Sequence, residues 1–87
     1  MSTFEKMKAR ILSKKSPNDI KPKELQNFLK RYGFVRKHVD GSHFIYEYKA
    51  SKRNLMLNIP MHSPVKPWYI DKIREAILEI EEGEKNE

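Results

Sequence analysis

The 87-residue chain contains no cysteine. Disulfides, thiolate nucleophiles and cysteine-bound metals are therefore excluded, and a reducing setting is expected. Its three glycines form no glycine-rich loop, so no nucleotide-binding fingerprint is present. No apolar run approaches the roughly 20 residues that a membrane span requires. The opening stretch MSTFEKMKARILSKK is broken by charges and lacks a signal-peptide core. These absences lead to the expectation of a cytoplasmic protein with no membrane partner. No segment repeats another.

What the chain has in quantity is charge: 34% of residues are charged and only 38% hydrophobic. The charge is unevenly spread. Residues 1–74 hold 17 Lys or Arg against 6 Asp or Glu, whereas residues 75–87 hold 1 against 6. The body is thus strongly basic, and its acidic end brings the net charge down to +6. A basic body of this size points to an anionic polymer, nucleic acid above all, and otherwise to a solvated surface. The terminal EIEEGEKNE reads either as a solubilising end or as a mimic that shields the basic surface.

The length suits one domain. Ser2-x-x-Glu5 has the form of a capping box, and Phe4, Met7, Ile11 and Leu12 follow at helical spacing over 3–13. KKSPND, 14–19, reads as a loop or hinge. Pro22 can open a second helix whose face carries Leu25, Phe28, Leu29 and Tyr32, and Gly33 sits where a left-handed cap belongs. Strands are expected over 34–39 and 42–48 around Asp40-Gly41, and over 55–60. KASKRN, 49–54, is a basic turn. A last helix over 68–82 turns Ile70, Ile73, Ile77 and Ile80 inward and stops at Gly83. The expected fold class is α+β, order α-α-β-β-β-α, a three-stranded antiparallel sheet with helices on one face. The division expected is an N-terminal helical extension and hinge (1–20), a central domain (21–82) and an acidic tail (83–87).

A turn centred on Asp40-Gly41 pairs Val39 with Ser42, His38 with His43, Lys37 with Phe44, Arg36 with Ile45 and Val35 with Tyr46. Side chains alternate between the two faces of a strand. Val35, Val39, Phe44, Tyr46 and Tyr48 then share one face, joined by Leu55, Leu57 and Ile59, and the helices must cover it. His38, His43, Arg36, Ile45, Met56 and Asn58 share the open face. Lys37 would have to snorkel out from the covered side. His43 opposes Pro60, so His62 follows just beyond that end of the sheet. Three histidines approach one end of an open, basic surface.

Histidine, with an unperturbed pKa of about 6.5, can take and give protons near neutrality. RNA cleavage without a metal needs a base to remove the ribose 2′-OH proton and an acid to protonate the leaving 5′ oxygen. Nearby cations stabilise the charge that develops on phosphorus. His43 fits one of these roles, with His62 or His38 as its complement. Arg36, Lys37, Lys49, Lys52, Arg53 and Lys66 are the candidate phosphate ligands. Each histidine has a plainer reading: His43 as a residue after a tight turn, His38 as an edge or phosphate contact, His62 as a loop cap. The 38/43/62 spacing matches no zinc signature, and neither a metal nor a cofactor is expected. Ser42 lacks an evident triad and reads as a hairpin hydroxyl pointing to the apolar face. Tyr46, Tyr48 and Trp68 read as core or core edge in preference to base-stacking platforms.

The set KELQNFLKRYGF, DGSHFIY, LNIPMH and WYIDKIREAI resembles the HicA (YcfA-like) toxins of toxin–antitoxin systems over about residues 21–80. The shared pattern is a helix ending in Gly-Phe, a hairpin Gly41-Ser42-His43, a strand ending Ile59-Pro60, and a closing helix. The resemblance implies a double-stranded-RNA-binding-domain-like fold, an mRNA endoribonuclease activity with His43 as the catalytic histidine, and a HicB-like antitoxin that covers the active surface. It implies a monomer alone or a hetero-oligomer with the antitoxin. Phe44 stands where many relatives carry a second histidine. Residues 1–20 and the acidic tail extend beyond the minimal family domain. The competing readings are a non-catalytic RNA-binding module and a protein-interaction domain.

Overall fold

The computed structural model describes residues 2–49 and 54–85. The element order is α1 (Thr3–Leu12), α2 (Pro22–Tyr32), β1 (Val35–Asp40), β2 (His43–Lys49), β3 (Asn54–Pro60) and α3 (Pro67–Lys85). This is the expected α+β order, α-α-β-β-β-α. The strands form one antiparallel sheet in the order β1-β2-β3.

Local signals explain the helix boundaries. The Ser2 side chain accepts from the Glu5 N–H at 3.2 Å, which caps α1. Pro22 starts α2, where its missing N–H costs nothing. Gly33 ends α2 with φ 125°, and the next N–H, that of Phe34, returns to the Leu29 carbonyl at 2.9 Å. A Cβ at residue 33 would stand 3.1 Å from the Tyr48 ring. Gly33→Ala is therefore expected to cost about 1–2 kcal/mol for the left-handed backbone, with crowding of Tyr48 in addition. Thermal unfolding checks this: the midpoint should fall by about 4–8 °C for each kcal/mol.

Helix α3 does not stop at Gly83 as expected but runs on to Lys85. The cause is contact with the rest of the molecule. Glu84 accepts a hydrogen bond from Tyr48, and Glu81 pairs with Lys8 at 2.9 Å. The stretch expected as a tail from residue 83 thus begins as helix. Burial, reinforced by Glu84, pushes the Tyr48 hydroxyl above its usual pKa, and burial with Glu81 nearby does the same to Tyr32.

The core is continuous. Leu25 and Leu29 of α2, Ile59 of β3, Val65, and Ile70, Ile73 and Ile77 of α3 are wholly buried, and so are Ile11 of α1 and Ile20 of the following loop. The Val65 N–H donates to the Ile20 carbonyl at 2.9 Å. Residues 1–20 thus pack as an added helix and a fastened loop. The loop is held further by Arg10 with Asp19 and by Ser16 with Asp71. A chain of aromatic rings runs from Phe4 to Phe28, Tyr32, Phe34 and Tyr48, with neighbouring centroids 5.1–6.0 Å apart.

Candidate functional site

The site is built by two strand pairings. Between β2 and β3 the register is as expected: His43 opposes Pro60, Phe44 Ile59, Tyr46 Leu57 and Tyr48 Leu55. Tyr46, Leu55, Leu57 and Ile59 are buried under the helices, while Met56 and Asn58 are exposed.

Between β1 and β2 the register differs. The two loop residues are Gly41 and Ser42, so Asp40 opposes His43, Val39 opposes Phe44 and His38 opposes Ile45. Gly41 has φ 61° and Ser42 does not share the positive φ. Glycine at the first central position is the pattern of a type II′ turn, which suits the twist of a hairpin. Relative to the expected pairing the strand has slid by two residues. A slip of two leaves each side chain on its own face, so His38 and His43 still share the open side.

The ladder then shifts between Arg36 and His38, leaving Lys37 as the extra residue of a bulge. Beyond it the faces exchange. Arg36 now opposes Tyr46 and Val35 opposes Glu47. Arg36 was expected on the open face, but its guanidinium lies 5.5 Å from the Phe44 ring centroid, on the helix side. There it lowers the Tyr46 pKa, which burial raises by more. Val35 was expected on the covered face and is instead 58% exposed. Lys37 need not snorkel: its ammonium lies 3.7 Å from the Glu47 carboxylate.

The three histidines are all exposed. His43 stands at the turn end of β2, with His38 on the same face beside Ile45. His62 lies just past β3, its Nε2 3.4 Å from the Ser42 Oγ. Ser42, expected to point at the apolar face, therefore meets His62. The Met61 N–H also donates to the Ser42 carbonyl at 2.7 Å, fastening the hairpin to the end of β3. His43 and His62 are thereby gathered at one end of the sheet.

The open face is mixed in sign. Asp40 opposes His43, and Glu47 pairs with Lys37 and accepts from Asn54 at 3.1 Å. Lys49 is exposed at the far end of β2, opposite Asn54. Lys66 is exposed, its ammonium 5.9 Å from the Trp68 ring centroid. Lys52 and Arg53, with most of the basic turn 49–54, lie outside the described residues. Among the described residues, no three His, Asp or Glu side chains converge as a metal cage requires.

Sequence reasoning missed two features of this end. Asp40 read as a turn residue, and only the II′ geometry moves it opposite His43. Trp68 read as core or core edge, yet it is 56% exposed.

The fold and the site together define a small α+β protein with exposed histidines gathered at one end of its sheet. Compared with known proteins, the chain matches no family model, no curated protein and no solved structure.

Proposed function

We propose that the protein is a metal-independent endoribonuclease that cleaves mRNA, the toxin of a toxin–antitoxin pair of the HicA kind. The observation that carries this reading is the exposed imidazole of His43 on the uncovered face of the sheet, with that of His62 held at the same end. A buried ring would have no access to a ribose. The run of elements α2-β1-β2-β3-α3 also has the order expected from the family resemblance.

In the proposed reaction one histidine removes the 2′-OH proton and the freed oxygen attacks the adjacent phosphorus. The other protonates the departing 5′ oxygen, leaving a 2′,3′-cyclic phosphate. His62 is the complement favoured over His38, because the Ser42 contact and the Met61 N–H bond hold its segment against the hairpin that bears His43. The cytoplasm is the proposed location, and a HicB-like antitoxin the proposed partner.

The test uses purified protein and single-stranded RNA in excess EDTA. Cleavage should proceed, and a substrate with deoxyribose at the scissile position should resist, because it lacks the nucleophilic hydroxyl. Salt-dependent binding without turnover would instead mark an RNA-binding module.

A further inference from the structure

The chain has a single tryptophan, and it stands outside the core. Helix α3 turns Ile70, Ile73, Ile77 and Ile80 inward. At about 100° per residue, Trp68 lies on the opposite side of the helix. Cations flank it. The Lys66 ammonium is 5.9 Å from the Trp68 ring centroid, the Lys72 ammonium is 5.6 Å from that of Tyr69, and the two rings are 6.0 Å apart. The first turn of α3 has no acidic residue. Asp71, the carboxylate that follows, is engaged by Arg74 at 2.8 Å and by Ser16.

This patch lies at the histidine end of the molecule. Only six residues separate the end of β3 at Pro60 from the start of α3 at Pro67. The far end of α3 reaches Tyr48, which sits opposite Leu55 near the other end of β3. Helix α3 therefore runs back along β3, with its first turn toward the Pro60 end of that strand.

We propose that Trp68, with Lys66 and Lys72, is a stacking platform for one unpaired base of a single-stranded RNA, at the end of the molecule that carries His43 and His62. The proposal rests on the reading of His43 given above. Single-stranded RNA fits both halves of the patch. Each base offers a flat π face to the indole whatever its identity, and each phosphate offers a negative charge to a lysine. An apolar protein segment would meet the ring but leave two ammonium groups facing it.

Because Trp68 is the only tryptophan, its emission reports on this patch alone. The probe is a 2′-O-methyl oligoadenylate, which cannot be cleaved through its 2′ position, labelled so that binding is followed independently by anisotropy. Binding should quench Trp68 emission saturably. Trp68→Ala should weaken binding about 5- to 150-fold, the equivalent of one stacked base, while Trp68→Phe retains most of the affinity. Lys66→Ala and Lys72→Ala should each lower the slope of log affinity against log salt by about 0.7. Unchanged emission at saturation overturns the proposal, as does equal affinity of Trp68→Ala or a failure to bind. Should Trp68→Ala fail to fold, wild-type quenching and the Phe variant still decide. Quenching by intact RNA that is never cut keeps the platform and discards the nuclease. Cleavage with no quenching and an unaltered kcat/KM in Trp68→Ala does the reverse.

Discussion

His43→Ala is expected to lower RNA cleavage by about 10²–10⁴-fold while leaving the fold intact. The size follows from removing one of the two groups that move protons in the proposed reaction. The intact fold follows from exposure: the imidazole contributes nothing to the core, and surface changes of this kind stay within about 0.5 kcal/mol. The measurement is single-turnover cleavage of a labelled RNA in EDTA, with thermal unfolding run beside it. His62→Ala should lose a comparable factor. His38→Ala should retain most of the activity. Cleavage that persists in His43→Ala would place the chemistry elsewhere. In cells, induction of wild type should arrest growth and induction of His43→Ala should not.

Ile11→Ala is expected to cost about 2–5 kcal/mol, enough to leave the protein partly unfolded at growth temperature. Ile11 is wholly buried, and α1 packs on both α2 and α3. Truncating it removes apolar contacts and leaves a cavity. A chain of this length has roughly 4–13 kcal/mol of total stability, so the loss is a large share. Leu78→Ala, at an exposed position of α3, is the control and should stay within about 0.5 kcal/mol. Circular dichroism melts decide between the outcomes. Equal midpoints for Ile11→Ala and wild type would mean that the N-terminal helix lies outside the cooperative unit.

The helices and β3 were readable because their patterns are local. Pro22, Gly33 and the spacing of Leu25, Phe28 and Leu29 mark α2 without any knowledge of its neighbours. The alternation of Leu55, Leu57 and Ile59 marks β3 and pins its pairing with β2. The β1 edge was not readable to the same depth. Two turns compete at Asp-Gly-Ser, and nothing in VRKHVD announces a bulge, since its six residues are all exposed and no apolar alternation enforces a register. Arg36 and Val35 were misplaced for that reason. His38 and His43 escaped the error because the slip between them was an even number of residues.

Trp68 was readable and was missed. The inward set Ile70, Ile73, Ile77 and Ile80 fixes the buried side of α3, and two residues before Ile70 is about 200° around the helix. Aromatic character favours burial, and here the helical geometry overrides it. The contact between Ser42 and His62 was beyond reach, because it depends on a loop that follows no repeating pattern.

The continuation of α3 past Gly83 has an electrical consequence. The helix is about 28 Å long by its rise per residue. Its early turns hold Asp71, Lys72 and Arg74, and its later ones hold Glu75, Glu79, Glu81, Glu82 and Glu84. Because Glu84 is moored to Tyr48 and Glu81 to Lys8, this negative pole is turned away from the hairpin tip. Helix α3 is therefore polarised along its own length, its acidic half lying toward the end of the sheet away from the imidazoles. Along this helix, repulsion of any polyanion is therefore weakest at the first turn and grows toward the later ones.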